Sequence, residues 1–148
     1  IRPSEEVVSS ISAHALEYKC LKLKRPVHKV PLVSRWVFPM VNYVKINTDG
    51  AFHEESHSGG WGFIVRNDRG VPVAAGHGHL QGVSSALHAE ASALLKALRM
   101  TSDMGCIWVQ LEVDTTNLKQ AITSDDYDLS SLGVLFKEIK SLLCVAYE

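Results

Sequence analysis

From Val41 onward the spacing of apolar side chains along this chain switches back and forth between two periods. Val44, Ile46 and Thr48 fall on one side and Tyr43, Lys45, Asn47 and Asp49 on the other, and this period of two predicts a strand over Val41–Phe52. A second strand is predicted over Gly60–Arg66 and a third from Val71 to about Leu80, joined by Asn67-Asp68-Arg69-Gly70. A short link closed by glycine predicts an antiparallel hairpin. The period then lengthens over Ser84–Met100, a helix with Ser84 or Ser85 placed to cap its start. Cys106–Asp114 returns to period two, with Ile107, Val109, Leu111 and Val113 on one face and Trp108, Gln110, Glu112 and Asp114 on the other. Thr115–Ile122 fits a short helix, and Leu132, Leu135, Phe136, Ile139, Leu142 and Leu143 mark a last one. Three strands, helix, strand, helix, helix, with one β-to-α-to-β crossover, predict an α/β domain: a mixed sheet flanked by helices.

The first forty residues read differently. Pro3 and Ser4 followed by Glu5 and Glu6 resemble a helix start, with acids at the positive end of the dipole. Val7, Val8, Ile11, Ala15 and Leu16 give that helix an apolar stripe as far as about Leu21. Pro26, Pro31 and Pro39 then interrupt regular structure, so Lys24–Met40 is a linker. The chain therefore divides into an N-terminal helix and basic linker over 1–40 and one domain over 41–148, a size that suits a single core. It begins at Ile1, as a piece of a longer protein would.

Charge sharpens this division. Residues 1–35 hold seven basic and three acidic residues, net +4, while the remainder is net −5. Lys19, Lys22, Lys24, Arg25, Lys29 and Arg35 form a stretch with no acid in it, able to follow a phosphate backbone or to serve as a solvated tether. No apolar run approaches the ~18 residues of a membrane span, so no membrane partner is expected. Cys20, Cys106 and Cys144 are odd in number and form no paired motif, which points to reduced thiols and a nuclear or cytoplasmic setting. His77 and His79 would share a strand face, without a Cys pair nearby to complete a zinc site.

The chemistry lies in three carboxylates. On the Ser84–Met100 helix, Ser85, His88, Ser92, Lys96 and Arg99 gather toward water, and Ala86, Leu87, Ala93, Leu94, Ala97 and Leu98 gather toward the sheet. Glu90 falls inside the apolar sector. A carboxylate there needs compensation, either from a buried Arg or Lys or from a metal ion. Asp49 and Asp114 each end a predicted strand, where open α/β sheets bind ligands. Taken singly, Asp49 also reads as a turn residue before Gly50, and Asp114 as an N-cap for the Thr115 helix. Taken together, three hard oxygen donors suit Mg²⁺ or Mn²⁺.

Lys45-Ile46-Asn47-Thr48-Asp49-Gly50-Ala51-Phe52 followed by Gly59-Gly60-Trp61-Gly62-Phe63-Ile64-Val65-Arg66-Asn67 resembles the opening of a ribonuclease H domain of the plant retroelement, reverse transcriptase-like kind. His88-Ala89-Glu90-Ala91 is similar to that family's helix motif, Glu112-Val113-Asp114 to its third motif, and Trp36 and Pro39 to its lead-in. The resemblance covers roughly Trp36–Leu143. It implies an RNase H-like sheet, two Mg²⁺ ions, and endonucleolytic hydrolysis of the RNA strand of an RNA–DNA hybrid. It also implies that Asp49 bridges both ions and that Glu90 and Asp114 hold the leaving-group ion. Backbone near Gly50 and polar groups around Glu90 would read ribose 2′-hydroxyls. Separately from the resemblance, the charge of the leader makes Lys19, Lys22, Lys24 and Arg25 candidate nucleic-acid contacts. The family also has a fifth strand and a fourth carboxylate at a final helix. Leu129–Leu143 matches the penultimate helix, so the last strand, helix and acid are expected to be absent here. Asp125, Asp126 and Asp128 sit in the loop before that helix and do not replace the acid. The alternative reading is an RNase H-fold module that binds nucleic acid or protein without cutting.

Overall fold

The structure, a computed structural model, describes residues 35–145. The expected N-terminal helix and most of the linker lie outside these residues. Within them the elements follow the expected order: β1 (Val44–His53), β2 (Ser58–Arg66), β3 (Pro72–Gln81), α1 (Ala86–Asp103), β4 (Val109–Glu112), α2 (Thr116–Thr123) and α3 (Gly133–Val145). The sheet runs β3-β2-β1-β4. Its β3-β2-β1 part is antiparallel, and β4 joins β1 in parallel after the α1 crossover. This is the RNase H-like arrangement that the sequence implied.

The turn between β2 and β3 forms for local reasons. Asn67 Oδ1 accepts the backbone N–H groups of Arg69 and Val71, each at 3.0 Å. Gly70 closes the turn at φ 76°, a conformation open to a residue without Cβ. Among the boundaries that differ from expectation, those of β1 and β4 bear on the site. β1 starts at Val44 because the chain turns at Asn42 (φ 67°), and it continues past Asp49 to His53, so Asp49 lies mid-strand opposite Gly62. β4 keeps only four of the nine expected residues.

One face of the sheet carries the core. Ile46, Phe63 and Val65 meet Leu94, Ala97 and Leu98 of α1, backed by Leu118 and Ile122 of α2 and by Phe136 and Ile139 of α3. Ala89, Ala91, Ala93 and Ala97 are fully buried, and their small side chains let the α1 backbone lie close to the strands. Lys96, expected to face water, instead lies over the Trp61 ring at 4.9 Å.

The opposite face holds a buried cation that periodicity did not single out. Lys45 is 3% exposed. Its Nζ donates to the Val37 carbonyl at 2.6 Å, pairs with Glu112 Oε2 at 3.1 Å, and lies 5.0 Å from the Trp36 ring. Trp36 and the buried Pro39 of the lead-in thus cap this end of the sheet. A buried ammonium persists only with such partners. At Glu112 burial pushes the carboxyl upward, but hydrogen bonds from Lys45 and Asn47 and the charges of Lys45 and Lys119 outweigh it, and the net shift is downward. A depressed folded value means that the stabilisation is present above the ordinary carboxylate range and is lost as pH falls through the folded value. Because Glu112 is 39% exposed, solvent screening keeps the contribution under about 1 kcal/mol. Melting temperatures from pH 7 to pH 3 should therefore fall more steeply for the native chain than for Glu112→Gln; parallel curves would show that the pair contributes nothing.

Candidate functional site

Two features of the fold bring the three carboxylates together. The first is the parallel register of β1 and β4, which sets Asn47 opposite Glu112. Asp49 and Asp114 each follow two residues later, so they sit at one level of neighbouring chain segments. The second is Gly50. A Cβ built there would lie 2.4 Å from the Glu90 nitrogen and 2.5 Å from the Ala89 carbonyl carbon. Only glycine lets β1 touch the α1 backbone at this point, and the contact fixes Glu90 beside the strand. Ser85 starts α1 as its N-cap, accepting the His88 N–H at 3.1 Å.

Asp49, Glu90 and Asp114 consequently line a single cavity of about 20 Å³, together with Thr48, Thr115 and Leu118. That volume has room for about one water-sized occupant. Asp49 and Asp114 are exposed and Glu90 is half-buried. Asp49 and Asp114 also line a broad open groove of about 580 Å³ that runs over Gly62 to His77. The small cavity and the open groove thus share Thr48, Asp49 and Asp114 as walls.

The competing readings of each acid can now be compared with the geometry. Among the described residues Glu90 has no cationic partner; its Oε2 accepts the Thr115 hydroxyl at 2.5 Å. Asp49 is not a turn residue, because it pairs within the sheet. Asp114 is not the cap of α2, since Thr115 holds that position. Among the described residues no three His, Cys, Asp or Glu side chains are already drawn into an ion cage. Three like charges with no cation between them repel, so spreading apart is their expected arrangement. In kind they fit a hard divalent ion: three carboxylate donors around a space of atomic size.

Other expectations fall outside this cluster. Lys19, Lys22, Lys24 and Arg25 lie outside the described residues. Gly50 has a packing role that accounts for its identity. His77 and His79 share the exposed face of β3. Asp125 and Asp128 bind Lys140, at 3.3 and 2.5 Å. Cys106 and Cys144 carry free thiols, and burial pushes the Cys106 thiol above its ordinary value. No described helix is long and apolar enough to cross a membrane.

Sequence reasoning missed two residues at the site. By spacing Thr115 is a helix start, and its place immediately after Asp114 is the available signal for a role at the site. Asn47 donates through Nδ2 to Glu112 at 3.0 Å, while its Oδ1 is buried without a hydrogen-bond partner among the described residues. Its position two residues before Asp49 offered no signal by itself.

Comparison with known proteins agrees with this architecture. Residues 47–144 match the family described as reverse transcriptase-like. Among solved structures, RNase H1 from the halophilic archaeon Halobacterium salinarum is similar at 25% identity and TM-score 0.57, covering 68% of this chain and 78% of that one. The N-terminal RNase H domain of a Mycobacterium tuberculosis protein is similar at 16% identity and TM-score 0.60, covering 68% and 73%. A foamy viral protease–reverse transcriptase, solved in complex with dsDNA, is similar at 18% identity and TM-score 0.58, covering 72% and 78%. The last two show likeness of fold alone. A comparison with curated proteins gives no match.

Proposed function

Since the chain belongs to the reverse transcriptase-like family of RNase H fold, we propose that it is a retroelement-derived, metal-dependent ribonuclease acting on the RNA strand of RNA–DNA hybrids. The observation that carries this reading is the shared cavity: Asp49, Glu90 and Asp114 come from three separate segments and line one space of atomic size.

In this reading Asp49, Glu90 and Asp114 hold Mg²⁺ or Mn²⁺. Bound there, divalent ions supply an activated hydroxide and stabilise the leaving oxygen. The chain's own residues do the rest. Asp49 and Asp114 face both cavity and groove, so they meet the ion on one side and the nucleic-acid strand on the other. Glu90 enters from α1 and is held there by Thr115. Gly60 and Gly62 add no side chains of their own to the open face, where His79 and His77 stand across from them on β3. The body is acidic, so phosphate contact depends on the ions and on the basic residues of the leader.

A second reading is a module of this fold that binds nucleic acid or protein without cutting. Incubating the full chain with an end-labelled RNA–DNA hybrid in Mg²⁺ or Mn²⁺ separates the two. RNA fragments that appear with either ion and vanish in chelator are the expected result. Hybrid that is bound but stays intact in both ions would overturn the ribonuclease and leave the binding module.

A further inference from the structure

Thr115 occupies the N-cap position of α2 with the extended backbone of a cap, φ −92° and ψ 132°, but its side chain makes no cap hydrogen bond. A threonine there ordinarily accepts an N–H from the first turn of its helix. Here the hydroxyl is turned away and donates to Glu90 Oε2 at 2.5 Å. Both residues line the cavity shared with Asp49 and Asp114. The helix thus forgoes a local contact, and the hydroxyl serves a carboxylate 25 residues away.

We propose that Thr115 is a positioning residue of the metal site: by binding Oε2 it fixes the rotation of the Glu90 carboxylate and leaves the other oxygen to face a divalent ion. Carboxylates that ligate metals are commonly oriented by such an outer hydrogen bond, and losing it costs about 10–100-fold in metal affinity. A hydroxyl also suits this place better than a cation, because it orients the carboxylate without neutralising it. The inference rests on the proposed metal-binding reading.

Thr115→Val tests it cleanly, because the hydroxyl makes no cap bond and its removal takes no contact from α2. Calorimetric titration of the full chain with Mn²⁺ should show an affinity about 10–100-fold weaker for Thr115→Val, with Thr115→Ser close to the native chain. In a Glu90→Gln background the same change should have no further effect, which a merely structural role would not produce. Melting in chelator reports on folding, and Thr115→Ala replaces the valine variant if that one does not fold. If the native chain binds Mn²⁺ and Thr115→Val binds it equally well, the inference is wrong while the metal site stands. If the native chain binds no Mn²⁺, the metal site itself fails, and the inference with it.

Discussion

Asp49→Asn is expected to leave the fold intact and to abolish Mn²⁺ binding. Asp49 is exposed and lies mid-strand, and the amide has the same shape as the carboxylate, so β1 and its pairing should survive. What changes is the charge on the one acid of β1 among the residues that line both cavity and groove. Ion stabilisation of a phosphoryl transition state is worth several kcal/mol. At about 1.4 kcal/mol per tenfold, hybrid cleavage should drop by on the order of 10³-fold or more. Mn²⁺ calorimetry and the labelled-hybrid assay check the two halves separately. Native-like Mn²⁺ affinity in a folded Asp49→Asn protein would remove Asp49 from the site.

The second large effect is expected at Gly50. An added Cβ would meet backbone atoms of Glu90 and Ala89 at 2.4 and 2.5 Å. Backbone in a helix cannot swing aside as a side chain can, so either β1 or α1 must move. Gly50→Ala should cost about 1–3 kcal/mol or more, as overpacking does, and lower the melting temperature by roughly 4–8 °C for each kcal/mol in a domain near this size. Mn²⁺ affinity should fall too, because the displaced helix carries Glu90. Gly62→Ala is the control: its Cβ would meet only the Gly76 carbonyl, at 3.9 Å. Equal melting of the two variants would show that the close approach at Gly50 does not set the site.

Much of this was legible from spacing alone. The element order followed from two periods of apolar side chains. Glu90 stood out because a carboxylate in an apolar sector is costly, and Asp49 and Asp114 because their place near strand ends is where open sheets bind ligands. Other features depend on three-dimensional register. Periodicity placed Lys45 on a polar face, yet Trp36, Val37 and Glu112 bury it, and contacts that distant in sequence leave no periodic trace. Asp49 read as a strand end because Gly50 follows it. In fact the glycine serves a helix contact from within the strand, and β1 continues. β4 came out short for a related reason. Alternation marks which way side chains can point, but backbone pairing with β1 decides how many residues form the strand, and that pairing covers only Val109–Glu112.

β4 has a bearing on lifetime as well as on position. Among the described residues it is the shortest strand, it ends the sheet, and its strand pairing is with β1. Asp114 and Thr115 hang from its end. Detachment of these four residues would withdraw an acid and a hydroxyl from the cavity and would also pull Val109 and Leu111 away from the core. The persistence of the site is therefore tied to the pairing of this edge strand with β1. An ion gripped by β1, α1 and the end of β4 would raise the cost of that detachment by mass action, so that occupancy would act as a latch on the edge of the sheet.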